Sequence, residues 1–244
     1  MFGDRLDLAT RFGRHLATTG VAHGLVGPRE VPRLWGRHLL NCAVLTDLLP
    51  QAARVIDIGS GAGLPGLALA IRRPDLHVAL VEPLLRRVTW LERVVDDLQL
   101  AQVDVLRGRA QDVAGSIRAP FVTARAVAPL SRLVGWALPL LEPNGTMLAL
   151  KGRAAQDELD QALRDWPRAI ASADVLSLGS GMLDEPTTVV RVVASASASA
   201  DSRHDAPVAR PTTRRRSAGS GGGSDAPRRT PRTRGSSGRR HERD

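Results

Sequence analysis

Short apolar stretches alternate with amphipathic ones through the middle of this 244-residue chain. The apolar stretches have the length and β-branched content of buried strands, and the segments between them carry apolar residues at helical spacing. Strict alternation of strand and helix implies parallel pairing through right-handed crossovers. The pattern therefore predicts an open, mostly parallel α/β sheet with helices on both faces. The predicted strands are RVIDI at 54–58, HVALVE at 77–82, VDVLRG at 103–108, FVTARA at 121–126, TMLALKG at 146–152, ADVLSLG at 173–179 and TTVVRVV at 187–193, and the predicted helices are 64–72, 84–98, a short one near Ala110, and 130–141.

The two ends of the chain depart from this alternation. Residues 5–19 and 31–48 carry apolar residues at helical spacing, which predicts two amphipathic helices ahead of the sheet. Residues 195–244 contain one large aliphatic residue, Val208, and cannot bury enough surface to offset their ordering entropy. We therefore expect an N-terminal helical segment over 1–50, an α/β domain over 51–194, and a disordered tail over 195–244.

Charge separates the tail from the rest of the chain. The net charge is +9, and residues 195–244 hold 12 arginines against five acids, so the tail carries +7. The other residues hold 22 basic and 20 acidic groups and are nearly neutral. Because Lys151 is the single lysine and alanine, arginine and glycine abound, the arginine content also fits GC-rich coding DNA. Arginine richness alone therefore identifies no partner.

The composition also indicates in which cellular compartment the protein is expected. No apolar run approaches the ~20 residues that a membrane span needs. The N-terminus has acids early and no continuous apolar stretch, unlike a signal peptide. The single cysteine, Cys42, excludes an internal disulfide framework. We therefore expect a cytoplasmic protein without a membrane span or a metal site.

The candidate chemistry lies where the first predicted strand ends, in the run DIGSGAGLPG at 57–66. Ligands of open α/β sheets bind beyond the carboxyl ends of the strands, and glycines let a loop turn sharply and approach a ligand closely. The loop amides are then expected to face an anionic group at the next helix N-terminus, which in an S-adenosylmethionine site is the methionine carboxylate. Asp57 is expected to organise the loop or accept hydrogen bonds through water. Glu82, at the next strand tip, is placed to accept hydrogen bonds from both ribose hydroxyls of an adenosyl group.

Three interpretations of this loop are open. Gly61, Gly63 and Gly66 also satisfy the dinucleotide pattern GxGxxG, which fits a nucleotide- or NAD-binding regulatory module without catalysis. The glycines could also serve helix–strand packing alone. An acid two positions before the G-S-G-A-G run and a second acid at the next strand tip favour a methyltransferase over both. A methyltransferase of this kind acts on a nucleic acid or on a small molecule.

The acceptor is narrowed by what the sequence lacks. Methylation of exocyclic amines in nucleic acids commonly uses an Asn/Asp-Pro-Pro-aromatic loop after the fourth strand, where this chain has TARAVAPL at 123–130. Cytosine C5 methylation needs a cysteine nucleophile, and Cys42 lies in an apolar helical stretch typical of core. Guanine N7 has a lone pair at neutral pH, so its methylation needs alignment of the reactants but no general base. The sequence is therefore compatible with N7 chemistry.

Several segments together resemble one family, the RsmG ribosomal RNA methyltransferases, also called glucose-inhibited division protein B. They cover nearly all of residues 30–155 in the family's order. The combination of GSGAGLPG, RAVAPL and LALKG is more specific than any one of them. The matching segments are RHLLNC at 37–42, DIGSGAGLPGLALA at 57–70, VEPLLRRVTWL at 81–91, GRAQDV at 108–113, RAVAPLSRLVGWALPLLEPNG at 125–145 and LALKG at 148–152.

This resemblance implies a Rossmann-like class I fold. It also implies methyl transfer from S-adenosyl-L-methionine to N7 of a guanosine in a 16S ribosomal RNA loop near the decoding site. Within the site, Gly59 and Leu64 line the cofactor, Ala110 and Gln111 contact it near the adenine, and Arg125 reaches it from the fourth strand. The family usually has Glu where this chain has Gln111, although an amide can still donate or accept there. The expected partner is 16S rRNA or the small ribosomal subunit, bound by a monomer.

Three further polar residues are candidates outside the loop. His38 and Asn41 lie one helical turn apart and could face RNA or the cofactor pocket, or serve helix packing. Lys151 ends the fifth predicted strand and could contact an RNA phosphate or be a solvated strand end. No residue is identified as catalytic with certainty, and Arg125 and Lys151 are the candidates near the methyl-transfer face.

Overall fold

A computed structural model describes residues 1–166 and 169–196 of the chain. Seven strands form one sheet in the order β3-β2-β1-β4-β5-β7-β6. The first five strands pair in parallel, β7 pairs antiparallel with β5, and β6 pairs antiparallel with β7 at the edge of the sheet. The predicted open, mostly parallel α/β sheet is thus confirmed. The strands are β1 Arg54–Ile58, β2 His77–Glu82, β3 Val103–Arg107, β4 Ala119–Arg125, β5 Leu141–Lys151, β6 Ile170–Leu178 and β7 Thr187–Ala194.

The helices between the strands follow the predicted pattern closely. The α-helices are α1 Leu6–His15, α2 Asn41–Ala43, α3 Gly66–Arg72, α4 Leu85–Asp97, α5 Ala110–Val113, α6 Leu130–Ala137 and α7 Ala155–Ala162. The sequence pattern missed α7, which buries only Ala155, Leu159 and Ala162 and is otherwise polar. Such a narrow apolar stripe gives a weak periodic signal.

The central strands of the sheet are buried on both faces. Every residue of β1 after Arg54 is buried, and β2 is almost as fully enclosed. One core lies between the sheet and α3, α4 and the N-terminal helices. A second core lies between the sheet and α6 and α7. Helices on both faces explain why these strands read as continuous apolar runs.

The N-terminal residues form two helical stretches, but neither is a uniform α-helix. α1 continues into a π-helical turn over Leu16–Gly20, and 3₁₀ and π turns over Pro28–Arg33 and Leu34–Leu40 precede α2. Pro32 lies inside the 3₁₀ stretch and cannot donate a backbone hydrogen bond. Both stretches bury apolar residues in the core that contains α3. Within the described residues, no helix has the length and apolar character to cross a membrane.

The strand order places a ligand site. The chain runs outward from β1 to β3 and then returns to the other side of β1 to form β4. The sheet therefore has its topological switch point between β1 and β4, where crevices open beyond the strand ends. Register brings Ile58 beside Val81 on one side and beside Ala124 on the other, so these strands end at one edge.

Candidate functional site

A cavity of about 870 Å³ opens at the carboxyl ends of β1, β2 and β4. Its volume lies in the range of small-molecule and cofactor sites. We call it the first cavity. Most of the predicted cofactor residues line it, namely Gly59, Gly61, Leu64, Glu82, Ala110, Gln111 and Arg125. Asp57 and Gly63 were also predicted to bind the cofactor and are not among its lining residues.

The loop after β1, residues 59–66, has a backbone that glycine allows. Gly59 and Gly63 have φ of +66° and +78°, a left-handed conformation that L side chains rarely adopt. A Cβ at Gly59 would lie 3.0 Å from the Val127 side chain, and one at Gly63 would lie 2.4 Å from Leu67 Cδ1. Gly59 therefore allows Val127 to approach the cavity, and Gly63 allows the loop to close onto α3. We refer to residues 59–66 as the glycine loop.

Six amides of the glycine loop are engaged within the protein and do not point at the cavity as expected. Gly61 donates to the Glu82 carboxylate over 3.0 Å and Gly66 donates to the Asp57 carboxylate over 3.0 Å. Other loop amides are engaged by backbone carbonyls; these are Gly59, Ser60, Gly63 and Leu64. Instead of presenting a ring of amides to an anion, the loop uses its donors to hold its own shape.

Asp57 lies beneath the glycine loop and is fully buried. Its Oδ2 accepts from the Gly66 amide, and its backbone carbonyl accepts from the Ser60 hydroxyl over 2.9 Å. Asp57 Oδ1 is buried and has no hydrogen-bond partner among the described residues. Burial raises the pKa of Asp57 to about 7, and the nearby Glu82 carboxylate adds to that rise, while the Gly66 amide opposes it. Asp57 therefore organises the loop, which is one of the two roles expected for it.

Glu82 ends β2 and faces the first cavity, although only 1% of it is exposed. Its Oε2 accepts from the Gly61 amide and its Oε1 accepts from the Leu84 amide, each over 3.0 Å. An Arg87 guanidinium nitrogen lies 3.7 Å from Oε2. Each carboxylate oxygen has two acceptor sites, so one on each oxygen remains for a ligand. A buried carboxylate held this way is suited to accept from a pair of adjacent hydroxyls.

A second cavity of about 810 Å³ adjoins the first. The two cavities share four lining residues, Arg37, Arg125, Ala126 and Val127, which we call the shared wall. The basic side chains that line the second cavity come from Arg37, Arg125, Lys151 and Arg153. Glu158 and Glu185 also line it, so its charge is mixed with an excess of positive groups.

Lys151 lines the second cavity, but its ammonium is engaged within the protein. Its side chain is 9% exposed, and Nζ donates to the Ala128 carbonyl and to Glu158 Oε2, each over 2.8 Å. Glu158 Oε2 also accepts from the Leu130 amide over 3.1 Å. The pair therefore holds the segment after β4, which begins at Ala126 with φ of +53°. The sequence interpretation missed Glu158 because it lies on α7, which was not predicted.

Arg125 ends β4 and joins the N-terminal helical stretch to the site. Its guanidinium donates to Cys42 Sγ over 3.1 Å and to the Arg37 carbonyl over 3.4 Å, and it lies 2.6 Å from His38 Nδ1. His38 Nε2 is 2.9 Å from Glu30 Oε2. The sequence interpretation raised His38 as a candidate and missed Glu30 as its partner. Asn41 lies in the second cavity's lining.

A glycine loop at the switch point, with a buried acid at the tip of the adjacent strand, defines a nucleotide- or adenosyl-binding member of the Rossmann-like enzymes. Solved structures share this fold. One is the S-adenosylmethionine-dependent methyltransferase SibL in its apo form, with a TM-score of 0.53 and 17% identity over 68% of this chain and 57% of that one. Another comes from Agrobacterium tumefaciens and is described as a predicted O-methyltransferase, with a TM-score of 0.50 and 18% identity over 64% of this chain and 80% of that one.

Sequence comparison identifies the family. The model of the GidB family, rRNA small subunit methyltransferase G, matches residues 5–180. The ribosomal RNA small subunit methyltransferase G of Pseudarthrobacter chlorophenolicus is 55% identical over 194 residues, 79% of this chain and 90% of its own. That of Thermobifida fusca is 57% identical over 193 residues, 79% of this chain and 81% of its own. The chain belongs to the rRNA small subunit methyltransferase G family, as the resemblance of its motifs indicated.

Proposed function

We propose that this protein transfers a methyl group from S-adenosyl-L-methionine to N7 of a guanosine in 16S ribosomal RNA. Family membership supports the reaction class and the rRNA substrate. The observation that carries the proposal is the Glu82 carboxylate, buried at the tip of β2 and facing a cavity of cofactor size. The methyl-transfer step would take place at the shared wall, where this cavity meets the second one.

The residues of the first cavity fit S-adenosyl-L-methionine. Bound there, it would supply a methyl group activated by a positively charged sulfur. Glu82 retains an acceptor position on each oxygen for the two ribose hydroxyls. Ala110 and Gln111 line the same cavity at the start of α5, where the Gln111 amide can donate or accept at an adenine edge. Gly59 and Gly61 leave room for the rest of the molecule beside Val127 and Arg87.

The second cavity fits the acceptor nucleotide. Arg37 and Arg153 are exposed basic residues in its lining, and either can contact a phosphate without breaking a buried ion pair. Arg125 lies in both linings and can orient the groups that meet at the shared wall. Because guanine N7 has a lone pair at neutral pH, the chain needs to align the reactants and not to remove a proton. We infer that a monomer acts on the rRNA or on the small subunit in the cytoplasm.

The test is methyl transfer in vitro with labelled S-adenosyl-L-methionine. Small subunits and extracted rRNA from cells that lack the gene serve as the two acceptors, and a small-molecule extract serves as the third. Label in rRNA, with strand cleavage at one guanosine after borohydride and aniline, is the expected result. A methylated base that resists this cleavage would refute the N7 assignment. Label in the small-molecule extract alone would refute the rRNA substrate, and calorimetric binding of NAD in place of S-adenosyl-L-methionine would refute the enzyme class.

A further inference from the structure

Three polar side chains form a continuous hydrogen-bonded chain at the edge of the first cavity. Glu30 Oε2 lies 2.9 Å from His38 Nε2, and His38 Nδ1 lies 2.6 Å from Arg125 Nη2. All three line the cavity, and the His38 side chain is 14% exposed. The chain connects the 3₁₀ turn before α2 with the end of β4, which are far apart in sequence.

The contacts of His38 favour one protonation state of its imidazole. A guanidinium has only donors, so the imidazole nitrogen that faces Arg125 must be an acceptor. The imidazole proton must therefore lie on Nε2, where it is donated to the Glu30 carboxylate. Burial and the charge of Arg125 lower the pKa of His38, although Glu30 opposes this shift. The hydrogen-bond geometry and the lowered pKa together favour a neutral imidazole with its proton directed toward Glu30.

Arg125 depends on this acceptor. Among the described residues, its other partners are the Cys42 thiol, which is a weak acceptor, and the Arg37 carbonyl at the long distance of 3.4 Å. Cys42 is fully buried, and burial raises the pKa of its thiol, so it offers no thiolate to the guanidinium. The neutral His38 nitrogen is thus the strongest partner that holds the guanidinium at the shared wall.

We propose that His38 is a positioning residue for methyl transfer: Glu30 holds it as the Nε2–H tautomer, and its Nδ1 fixes Arg125 where the two cavities meet. This inference rests on the proposed function, because Arg125 is taken to orient the reactants. Protonation of His38 would remove the acceptor and place a new cation beside Arg125.

Several charged groups face the hydrogen-bonded series Glu30–His38–Arg125. Glu30 and Arg37 act on His38 from its own helical stretch, and Arg125 acts on it from β4. Asp57 lies close enough to interact with Arg125 from beneath the glycine loop. The Glu30 carboxylate is the group that favours an imidazolium, and the two arginines oppose it. Because the pKa of His38 is lowered, the proposal places the loss of Arg125 positioning on the acid side of 6.5.

The first test is NMR on the wild-type protein. Long-range correlations between imidazole protons and ring nitrogens distinguish the two neutral tautomers and the imidazolium, and His38→Asn assigns the His38 signals. A neutral Nε2–H tautomer at pH 7.5 is expected. A proton on Nδ1 at that pH would overturn the proposal. This result does not depend on any methyl acceptor, so it stands or falls separately from the proposed function.

The second test separates two properties of the His38 side chain: its ability to accept a hydrogen bond from Arg125 and its bulk. In His38→Asn the amide oxygen can occupy the position of Nδ1 and accept from Arg125, whereas His38→Leu keeps bulk and removes the acceptor. We expect His38→Leu to lower kcat on small subunits by about 10–100-fold, and His38→Asn to recover at least about tenfold of that loss. His77→Asn, at an exposed histidine on β2, is the matched control.

The pH profile completes this test. Wild-type kcat is expected to fall as the pH drops through the lowered pKa of His38, and this limb should be absent from His38→Asn, which cannot titrate. Asp57 is unchanged in both proteins, so its titration cancels in the comparison. Equal kcat for the Asn and Leu variants, or an unchanged acid limb in His38→Asn, would overturn the positioning role. No labelled rRNA with the wild type would refute the proposed function, and the tautomer would still decide whether His38 holds Arg125.

Discussion

The glycine-loop side of the first cavity and the shared wall are built in different ways. The glycine loop follows β1 directly, and six of its amides donate to Asp57, to Glu82, to the Val81 carbonyl of β2 or to the Ser60 carbonyl of the loop itself. The shared wall draws its residues from the N-terminal helical stretch and from the end of β4. Side chains hold these segments together over separations of more than 80 residues, as between Arg125 and His38. One side is thus encoded locally, and the other exists only after the chain has folded.

This difference determines which substitutions each side of the first cavity is expected to tolerate. A locally organised loop tolerates changes elsewhere in the protein but not changes of its own glycines and acids. The shared wall is held by side-chain contacts between the N-terminal helical stretch and β4, and it meets the loop where Val127 packs against Gly59. We therefore expect cofactor affinity to depend on the glycine-loop side and acceptor methylation to depend on the shared wall and the segment that follows it. Four predictions test this separation.

The largest expected effect is on cofactor affinity. Glu82→Ala should weaken S-adenosyl-L-methionine binding by about 2–4 kcal/mol, roughly 30–1,000-fold, because two hydrogen bonds to a charged acceptor are lost. The Gly61 and Leu84 amides also lose their acceptor, which loosens the loop. Isothermal calorimetry measures the affinity, with Glu92→Ala on the exposed face of α4 as the control. Unchanged affinity in a folded Glu82→Ala protein would refute the assignment of this cavity to the cofactor.

Substitutions of Lys151 and Glu158 test the role of the shared wall and of the segment after β4. Lys151→Met leaves the Ala128 carbonyl and one Glu158 contact unsatisfied, and should lower the free energy of unfolding by about 1–3 kcal/mol. Methyl transfer to small subunits should fall in this variant and in Glu158→Gln, while affinity for S-adenosyl-L-methionine stays the same. Urea unfolding and labelled transfer are the measurements, and Arg153→Met, an exposed neighbour, is the control for stability.

The two variants also distinguish two roles for the lysine. If Lys151 holds the segment after β4, both substitutions impair transfer. If Lys151 contacts an RNA phosphate directly, as one sequence hypothesis holds, Glu158→Gln releases the ammonium and RNA affinity rises. An increase in RNA affinity for Glu158→Gln would therefore contradict the positioning role.

The sequence predicted the glycine-loop side of the first cavity better than it predicted the shared wall. The strands β1 and β2 match the predicted ranges because each has an apolar run that ends at an acid, Asp57 near the end of β1 and Glu82 at the end of β2. The cofactor-side residues could be named because the glycine loop and Glu82 lie at the ends of those strands. Periodicity could not reveal that the loop amides bind Glu82 and Asp57, since the direction of an amide depends on the φ and ψ of each loop residue.

The shared wall could not be predicted in this way. Nothing in the pattern around Cys42 indicates that its sulfur meets Arg125, because the contact depends on how the N-terminal stretch packs on the sheet. α7 escaped prediction because it has few apolar positions, and Glu158 escaped with it. The antiparallel pairing of β6 and β7 is likewise set by connections that the strand sequences do not encode. The predicted boundaries at residues 50 and 194 remain a prediction.

A smaller effect concerns the support beneath the glycine loop. The pKa of Asp57 is raised to about 7, so the folded protein binds a proton that the unfolded chain has released. The contribution of this group to stability is therefore fully present below its ordinary pKa of 3.8 and is lost as the pH rises through about 7. Between pH 6 and pH 8 the loss should be about 1.4 kcal/mol. Asp57→Asn does not titrate and should remove this pH dependence.

Urea unfolding of wild type and Asp57→Asn at the two pH values measures this difference. Asp96→Asn, an exposed carboxyl on α4, is the matched control and should behave as the wild type does. The same pH dependence in wild type and Asp57→Asn would show that Asp57 does not take up a proton in the folded protein. The loop would then be held by an ionised Asp57.

The smallest expected effect on turnover comes from the basic tail. Residues 197–244 lie outside the described residues, so the predicted disorder of this segment stays a prediction. Residues 195–244 carry 12 arginines and five acids, and among the described residues all those that line the two cavities precede them. We expect a protein ending at residue 194 to fold and to keep its turnover at saturating RNA.

What the tail should change is the encounter with RNA. Each arginine that neutralises a phosphate releases counterions, so affinity that depends on the tail falls with salt. Removal of the tail should lower RNA affinity mainly at low salt and flatten the slope of log affinity against log salt. RNA binding by the full chain and by residues 1–194 across a salt series measures both the affinity and the slope.

Replacement of Arg214, Arg215 and Arg216 by glutamine in the full chain is the matched variant, and it should give an intermediate slope. Identical slopes for all three proteins would mean that the arginines reflect coding bias alone. If the protein ending at residue 194 lost turnover at saturating RNA, the tail would contribute to the shared wall, and this prediction would be wrong.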